Sequence, residues 1–232
     1  MNNICTIFVK QIKDTLKNKS VLIQFLMFPL MAVIMENIVP NDAMPMPEHF
    51  FAKLFAVMYV GMAPLVSTSS IIAEEKEQNT LRVLMMSNVT PMQYLLGIGS
   101  YVWLLCMLGG LVFGSCSSYS APEFALFLLI MAVGILLSIL LGGIIGICSK
   151  NQMAATSLTV PIMLVFSFLP MFAMFNETIA KLAKFIFSQQ IFLLINGIGE
   201  NKAETETIII LGINVLLALA LFLIAYKKKQ FD

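Results

Sequence analysis

Few residues in this sequence have the chemistry for a reaction, and their spacing argues against most of it. There is one histidine, His49, and four cysteines, Cys5, Cys106, Cys116 and Cys148, in no metal-binding or redox spacing. Scattered cysteines of this kind act as small apolar fillers in or beside helices. No G-x-x-x-x-G-K-[ST] loop occurs, so nucleotide phosphates cannot be cradled in the P-loop manner. Within the long apolar runs the only ionisable residues are Glu36 and Lys53, each near the end of its run. Ion-driven carriers place carboxylates, histidine or arginine at mid-membrane as relays. That interior is bare here, and Glu36, close to Pro40, reads as interfacial. Energy for any transport is therefore expected from a partner.

The densest chemical segment is 74–91, which opens Glu74-Glu75-Lys76-Glu77-Gln78-Asn79-Thr80-Leu81-Arg82. A Glu-Glu pair followed by arginine would suit an intramembrane protease of the CAAX type. Asn79 stands where that arginine belongs, Arg82 comes too late, and the membrane histidines of such a site are missing. No G-x-S-x-G elbow or intramembrane aspartate pair is present either. The chain reads as no enzyme, with no cofactor and no metal of its own. Segment 74–90 instead reads as a short amphipathic helix. Its acidic start suits a helix N-terminus, and Leu81, Leu84 and Met85 line one face at i, i+3, i+4. Ser87-Asn88 ends it, and Thr90-Pro91-Met92-Gln93 restarts a helix with a capping box and proline in the first turn.

The elements that hold this segment follow from composition. Of 232 residues, 59% are apolar and 12% charged, against about 25% charged in a soluble domain. A bilayer must serve as part of the solvent. Six apolar runs, 21–38, 50–73, 94–116, 124–148, 153–175 and 207–226, are long enough to span it. The fold class is thus all-α, one polytopic domain over 1–232. Pro29, Pro64, Pro161 and Pro170 lie inside spans and are read as kinks. Small residues spaced by four, Ser138, Gly142 and Gly146, and Cys106, Gly110 and Gly114, favour close helix packing.

With the N-terminus inside, ten of the 14 basic residues fall on cytoplasmic segments: Lys10, Lys13, Lys17, Lys19, Lys76, Arg82, Lys150 and Lys227 to Lys229. Both termini are therefore expected in the cytoplasm of a plasma-membrane protein. Stretch 4–19 reads as an interfacial helix rather than a signal peptide, with Ile4, Phe8, Ile12 and Leu16 as its apolar stripe. An even span count makes 176–206 an outer re-entrant segment, turning at Asn196-Gly197.

The pattern E-E-K-E-x-x-T-L-x-x-L-x-x-S-x-x-x-P, placed after the second span, resembles the signature of ABC-2 type permeases, as does the surrounding plan of spans. That family usually has Gly where Asn79 stands. The resemblance implies that 74–90 is a coupling helix docking in a separate ABC ATPase. Glu74, Glu75, Lys76 and Glu77 would open the docking element, with Leu81, Leu84 and Met85 as its apolar anchor and Thr80 and Arg82 adding polar contacts. The turn at Lys150, Asn151 and Gln152 would be a second inner contact. Two permease chains, identical or paired, would work with two ATPases that hold ATP and Mg, in a lipid bilayer and without nucleic acid.

The resemblance also implies a route along spans two and five. In this sequence those spans offer Met58, Met62, Ser67, Ser69, Ser70, Met163, Phe166, Ser167 and Phe168. Alternating access would export an apolar or amphipathic cargo, with a lean to peptides, since 17 Met and 18 Phe make pliable surfaces. The rival function is a non-transporting immunity or sensor protein that binds a toxin or antimicrobial peptide.

Overall fold

The computed structural model describes residues 3–17, 19–39, 47–199 and 205–229, without the side chains of Lys19, Ser20, Val21, Gln24, Met85 and Lys229. All regular structure among them is helical: α1 Asn3–Lys17, α2 Lys19–Ile38, α3 Phe50–Glu77, α4 Thr80–Met86, α5 Pro91–Cys116, α6 Ala121–Cys148, α7 Gln152–Ala173, α8 Glu177–Ala183, α9 Phe187–Asn196 and α10 Thr205–Lys229. Helices α3, α5, α6, α7 and α10 are each long and apolar enough to cross a bilayer. The bent pair α8–α9 would make a sixth span by length and composition, while the described apolar part of α2 is the shorter Phe25–Ile38. The chain is a multi-pass helical membrane protein with five or six candidate spans.

Helix α3 is the axle. It packs on α2, α5, α6, α7 and α9, and its buried side chains include Tyr59, Leu65 and Ile72. Small residues set its distance from α6. A Cβ at Gly142 would lie 2.5 Å from the Leu65 carbonyl oxygen, so only glycine fits that crossing. Pro64 sits mid-helix and has no N–H to give the carbonyl of Val60 four residues back. The Ser138 hydroxyl of α6 donates to that carbonyl at 2.6 Å. The break in the ladder is thus filled from the neighbouring helix, as a bilayer interior requires. Pro170 likewise frees the Phe166 carbonyl, and α7 brings this carbonyl against Gly61 of α3.

Helix α1 corrects one expectation. Its buried line is Ile7, Gln11 and Thr15, while Ile4, Phe8 and Ile12 are only half-buried and Leu16 is exposed. The four-residue stripe marks its flank. Polar partners turn the helix: Gln11 reaches Glu75, Thr15 bonds the Tyr101 hydroxyl, and Ile7 fills the space over Gly97. At the other end of the bundle Glu36 is a cap, accepting from the Ala52 backbone N–H at 2.9 Å in the first turn of α3.

The segment before α10 also differs. The chain bends by 107° between α8 and α9, so a turn falls at residues 184–186, ahead of the expected one at Asn196-Gly197, where α9 ends in a turn. Two amides stabilise the break. Gln190 Nε2 donates to the Lys184 carbonyl, and Asn214 Nδ2 of α10 to that of Phe185 at 3.1 Å. Residues 200–204 of the expected outer segment lie outside the described residues.

Candidate functional site

The end of the bundle that carries α4 collects most of the charge-bearing side chains singled out by sequence. Glu74 to Glu77 do not begin a helix; they form the last turn of α3. A carboxylate at a helix C-terminus is disfavoured by the helix dipole, so the reason must be tertiary. Glu75 Oε1 accepts from Lys10 Nζ at 2.6 Å and Gln11 Nε2 at 2.8 Å, both on α1. The buried Tyr94 of α5 interacts with the same carboxylate. Lys76 Nζ donates to the carbonyls of Ile147 and Ser149 at 2.8 and 2.7 Å, placing a cation on the C-terminus of α6. Glu77 Oε2 accepts from the Gln152 backbone N–H at 2.9 Å, at the start of α7. Glu74 accepts from Gln78 Nε2 one turn on. This short run therefore ties α1, α5, α6 and α7 to the foot of α3.

Between α3 and α4 the chain turns at Asn79, whose φ of 56° is left-handed. Glycine and asparagine tolerate that conformation best. The departure from the family's glycine is thus conservative in backbone terms. The Thr80 hydroxyl donates to the Glu75 carbonyl at 3.1 Å and finishes the cap of α3. Helix α4 ends at a second left-handed residue, Asn88 (φ 61°), with the Val89 N–H bonded to the Leu84 carbonyl in the Schellman pattern. Thr90 and Gln93 form the expected capping box of α5. Asn3 of α1 donates to Asn88 O and Gln93 Oε1, pinning the same turn.

The apolar face of α4 is largely taken up by the chain itself. Leu81 is 5% exposed and Leu84 half-buried, both packed on the chain's own core. They anchor α4 to this molecule; the Met85 side chain lies outside the described residues. The outward face holds Arg82, Val83 (65% exposed) and Met86 (80% exposed). At the same end of the bundle, Lys150 in the α6–α7 turn and Met153 in the first turn of α7 are exposed, while Asn151 caps α7 by accepting from the Ala154 N–H. Sequence reasoning missed Val83, Met86 and Met153. A signal existed: T-L-R-V-L-M-M is apolar on more than one face, and such a helix needs covering on more than one side.

The expected route divides. Met58, Ser67, Ser69 and Ser167 are buried, and two of the serines fasten α3 to α7. Ser69 and Thr159 share a hydroxyl hydrogen bond at 2.9 Å, and Ser167 donates to the Met58 carbonyl at 3.1 Å. Phe166 packs on Phe187 and Phe168 on Phe172. Met62, Ser70 and Met163 are instead brought together, with Val66 and Thr156, around a cleft of about 260 Å³ between α3 and α7.

No curated protein matches the sequence. Over residues 3–227 it matches the family described as ABC-2 family transporter protein, a family that implies association with an ABC ATPase and a membrane. That match covers nearly the whole of a multi-pass helical bundle, and the chain belongs to the ABC-2 family as a permease component of an ABC transporter, the membrane part and not the catalytic one.

Proposed function

We propose that this permease works as an exporter half whose ATPase seats on the outward face of α4, with Val83 and Met86 as apolar anchors and Arg82 and Lys150 at the rim. The observation that carries the reading is the pairing of two properties. Helix α4 is fastened from behind by Leu81, Leu84 and the Asn79 and Asn88 turns, yet presents a large bare methionine outward. A rigid helix with an uncovered apolar face at a charge-rich end suits a partner protein rather than lipid. The Lys and Arg bias supports a cytoplasmic setting for that end, where the ATPase would hold ATP and Mg. Two permease chains and two ATPases would complete the machine, and the α8–α9 hairpin would be re-entrant on the outer side. Cargo would follow the α3–α7 face bearing Met62, Ser70 and Met163. This apolar, methionine-lined cleft favours amphipathic peptides or hydrophobic small molecules.

The test is co-purification with the cognate ATPase from membranes. Met86→Asp and Val83→Asp should each lower ATPase recovery at least tenfold, which is about 1.4 kcal/mol, with the permease inserted at wild-type levels. Leu84→Asp should instead lower the amount of folded permease, because it strikes the molecule's own core. Undiminished ATPase recovery with both outward variants would overturn the docking face.

A further inference from the structure

His49 is the one histidine of the chain, and it stands where α3 begins, at the end of the bundle opposite α4. Its backbone is left-handed, with φ 54° and ψ 36°, a conformation that histidine tolerates and few other side chains favour. A residue in that place ordinarily caps its helix. His49 makes no cap bond. Glu36 of α2 supplies one instead, with Oε1 accepting from the Ala52 N–H at 2.9 Å. The second oxygen of the same carboxylate, Oε2, lies 3.4 Å from His49 Nδ1. That nitrogen is buried and has no hydrogen-bond partner among the described residues.

The separation is too long for a good hydrogen bond and short enough for an ion pair. A neutral imidazole carries one ring proton and a charged one carries two, so it is the charged ring that must present Nδ1–H to the carboxylate. Both side chains are largely shielded, His49 at 24% and Glu36 at 13% exposure, and salt screens such a pair less than an open one. Few other charges surround it. On α3, Lys53 lies one turn on, its backbone N–H bonded to the His49 carbonyl at 3.1 Å, and its ammonium makes no ion pair among the described residues. On α5, Cys116 is within electrostatic reach of Glu36. Glu48, beside His49 in the chain, is exposed.

We propose that His49 and Glu36 form an acid-tightened clasp between α2 and α3: protonation of the imidazole draws Nδ1–H onto Glu36 Oε2 while Oε1 keeps the Ala52 N–H. One carboxylate of α2 then grips the start of α3 at two points. Histidine is the side chain whose charge ordinarily changes between pH 5 and 8. The pair exists only while the ring is protonated, so its stabilisation is present on the acid side of that window and fades as pH rises through it. The clasp ties α2 to the axle more firmly in acid and makes the bundle responsive to the acidity of the compartment this end faces. It requires neither a docked ATPase nor a cargo.

The test is amide hydrogen exchange on the full chain in detergent at about pH 8 and about pH 6, the two ends of the histidine window, corrected for the intrinsic pH dependence of exchange. The Ala154 N–H, capped by the uncharged Asn151, serves as an internal reference. In the wild-type chain, protection at Ala52 should rise about fivefold relative to Ala154 on acidification. His49→Asn keeps a side chain that accepts the left-handed backbone and removes the titrating ring, and it should abolish the rise. Glu36→Gln keeps an oxygen for the Ala52 N–H without the charge, and it should abolish the rise as well. A wild-type ratio that stays flat between the two pH values would overturn the clasp without recourse to any variant. A rise that persists in either variant would also overturn it, by assigning the proton to another group.

Discussion

Two regions of this bundle use their polar groups differently. At the α4 end the charged side chains at the foot of α3 bond across elements: Glu75 Oε1 with Lys10 and Gln11, Lys76 with the carbonyls ending α6, Glu77 with the first N–H of α7, while Glu75 Oε2 is buried without a hydrogen bond. At the α8–α9 bend, Ser188 and Gln189 are buried with acceptors that no described residue satisfies. A network that joins several elements resists deformation because each group it releases is left unpaired in a low-dielectric setting. At the bend the buried amides bond within one segment and do not tie several helices together, so the foot of α3 is the stiffer of the two regions.

The sharpest way to break this contrast is Glu75→Lys, which sets two cations against each other beneath α1. Leaving a buried charge unmatched costs about 3–5 kcal/mol, so thermal unfolding in detergent should fall by on the order of 10 °C. An unchanged Tm would mean that the α1 tether carries no weight. Lys76→Met should follow at about 2 kcal/mol, for two charge-assisted bonds and a lost C-terminal cation, with faster amide exchange at the end of α6 as a local readout. The opposite end should respond with the opposite sign. Gln189→Met removes an acceptor that lacks a partner among the described residues, and the protein in detergent should gain about 1 kcal/mol. A loss of similar size there would erase the distinction between the ends. The smallest effect belongs to Asn79→Gly, within a few tenths of a kcal/mol, since both residues accept a left-handed turn. A cost above 1 kcal/mol would show that the Asn79 side chain does more than allow the backbone.

Some of this was legible in the residues alone. The long helices announce themselves because apolar length has few other uses in such a composition. The Thr90 capping box and the Ser138, Gly142, Gly146 stripe are local codes that tertiary structure had no reason to override. The acidic run was misread for a physical reason. Dipole preference is worth less than about 1 kcal/mol at an exposed helix end, and the partners Lys10 and Gln11, some sixty residues away, outweigh it. Periodicity pointed to Leu81 and Leu84 as an apolar face but could not say which of two apolar sides the chain itself would cover. The position of the α8–α9 bend was equally hidden, since it depends on Gln190 and Asn214 meeting carbonyls that only the fold brings near.

The hydrogen bond from Ser138 to the carbonyl that Pro64 leaves free has a mechanical side. It acts as a key in a slot. If α3 slid along α6 by one residue, 1.5 Å, the Val60 oxygen would lose its donor in a medium that offers no water to replace it. Glycine at 142 allows the two helices to touch, and the keyed oxygen stops them from slipping while they do. Together α3 and α6 then behave as one shaft. Helix α7 is fastened to that shaft by Ser69 and Ser167, whereas α10, which packs on α6 and α9 with little of its span buried, is the lighter-held element where a movement of the shaft would be taken up.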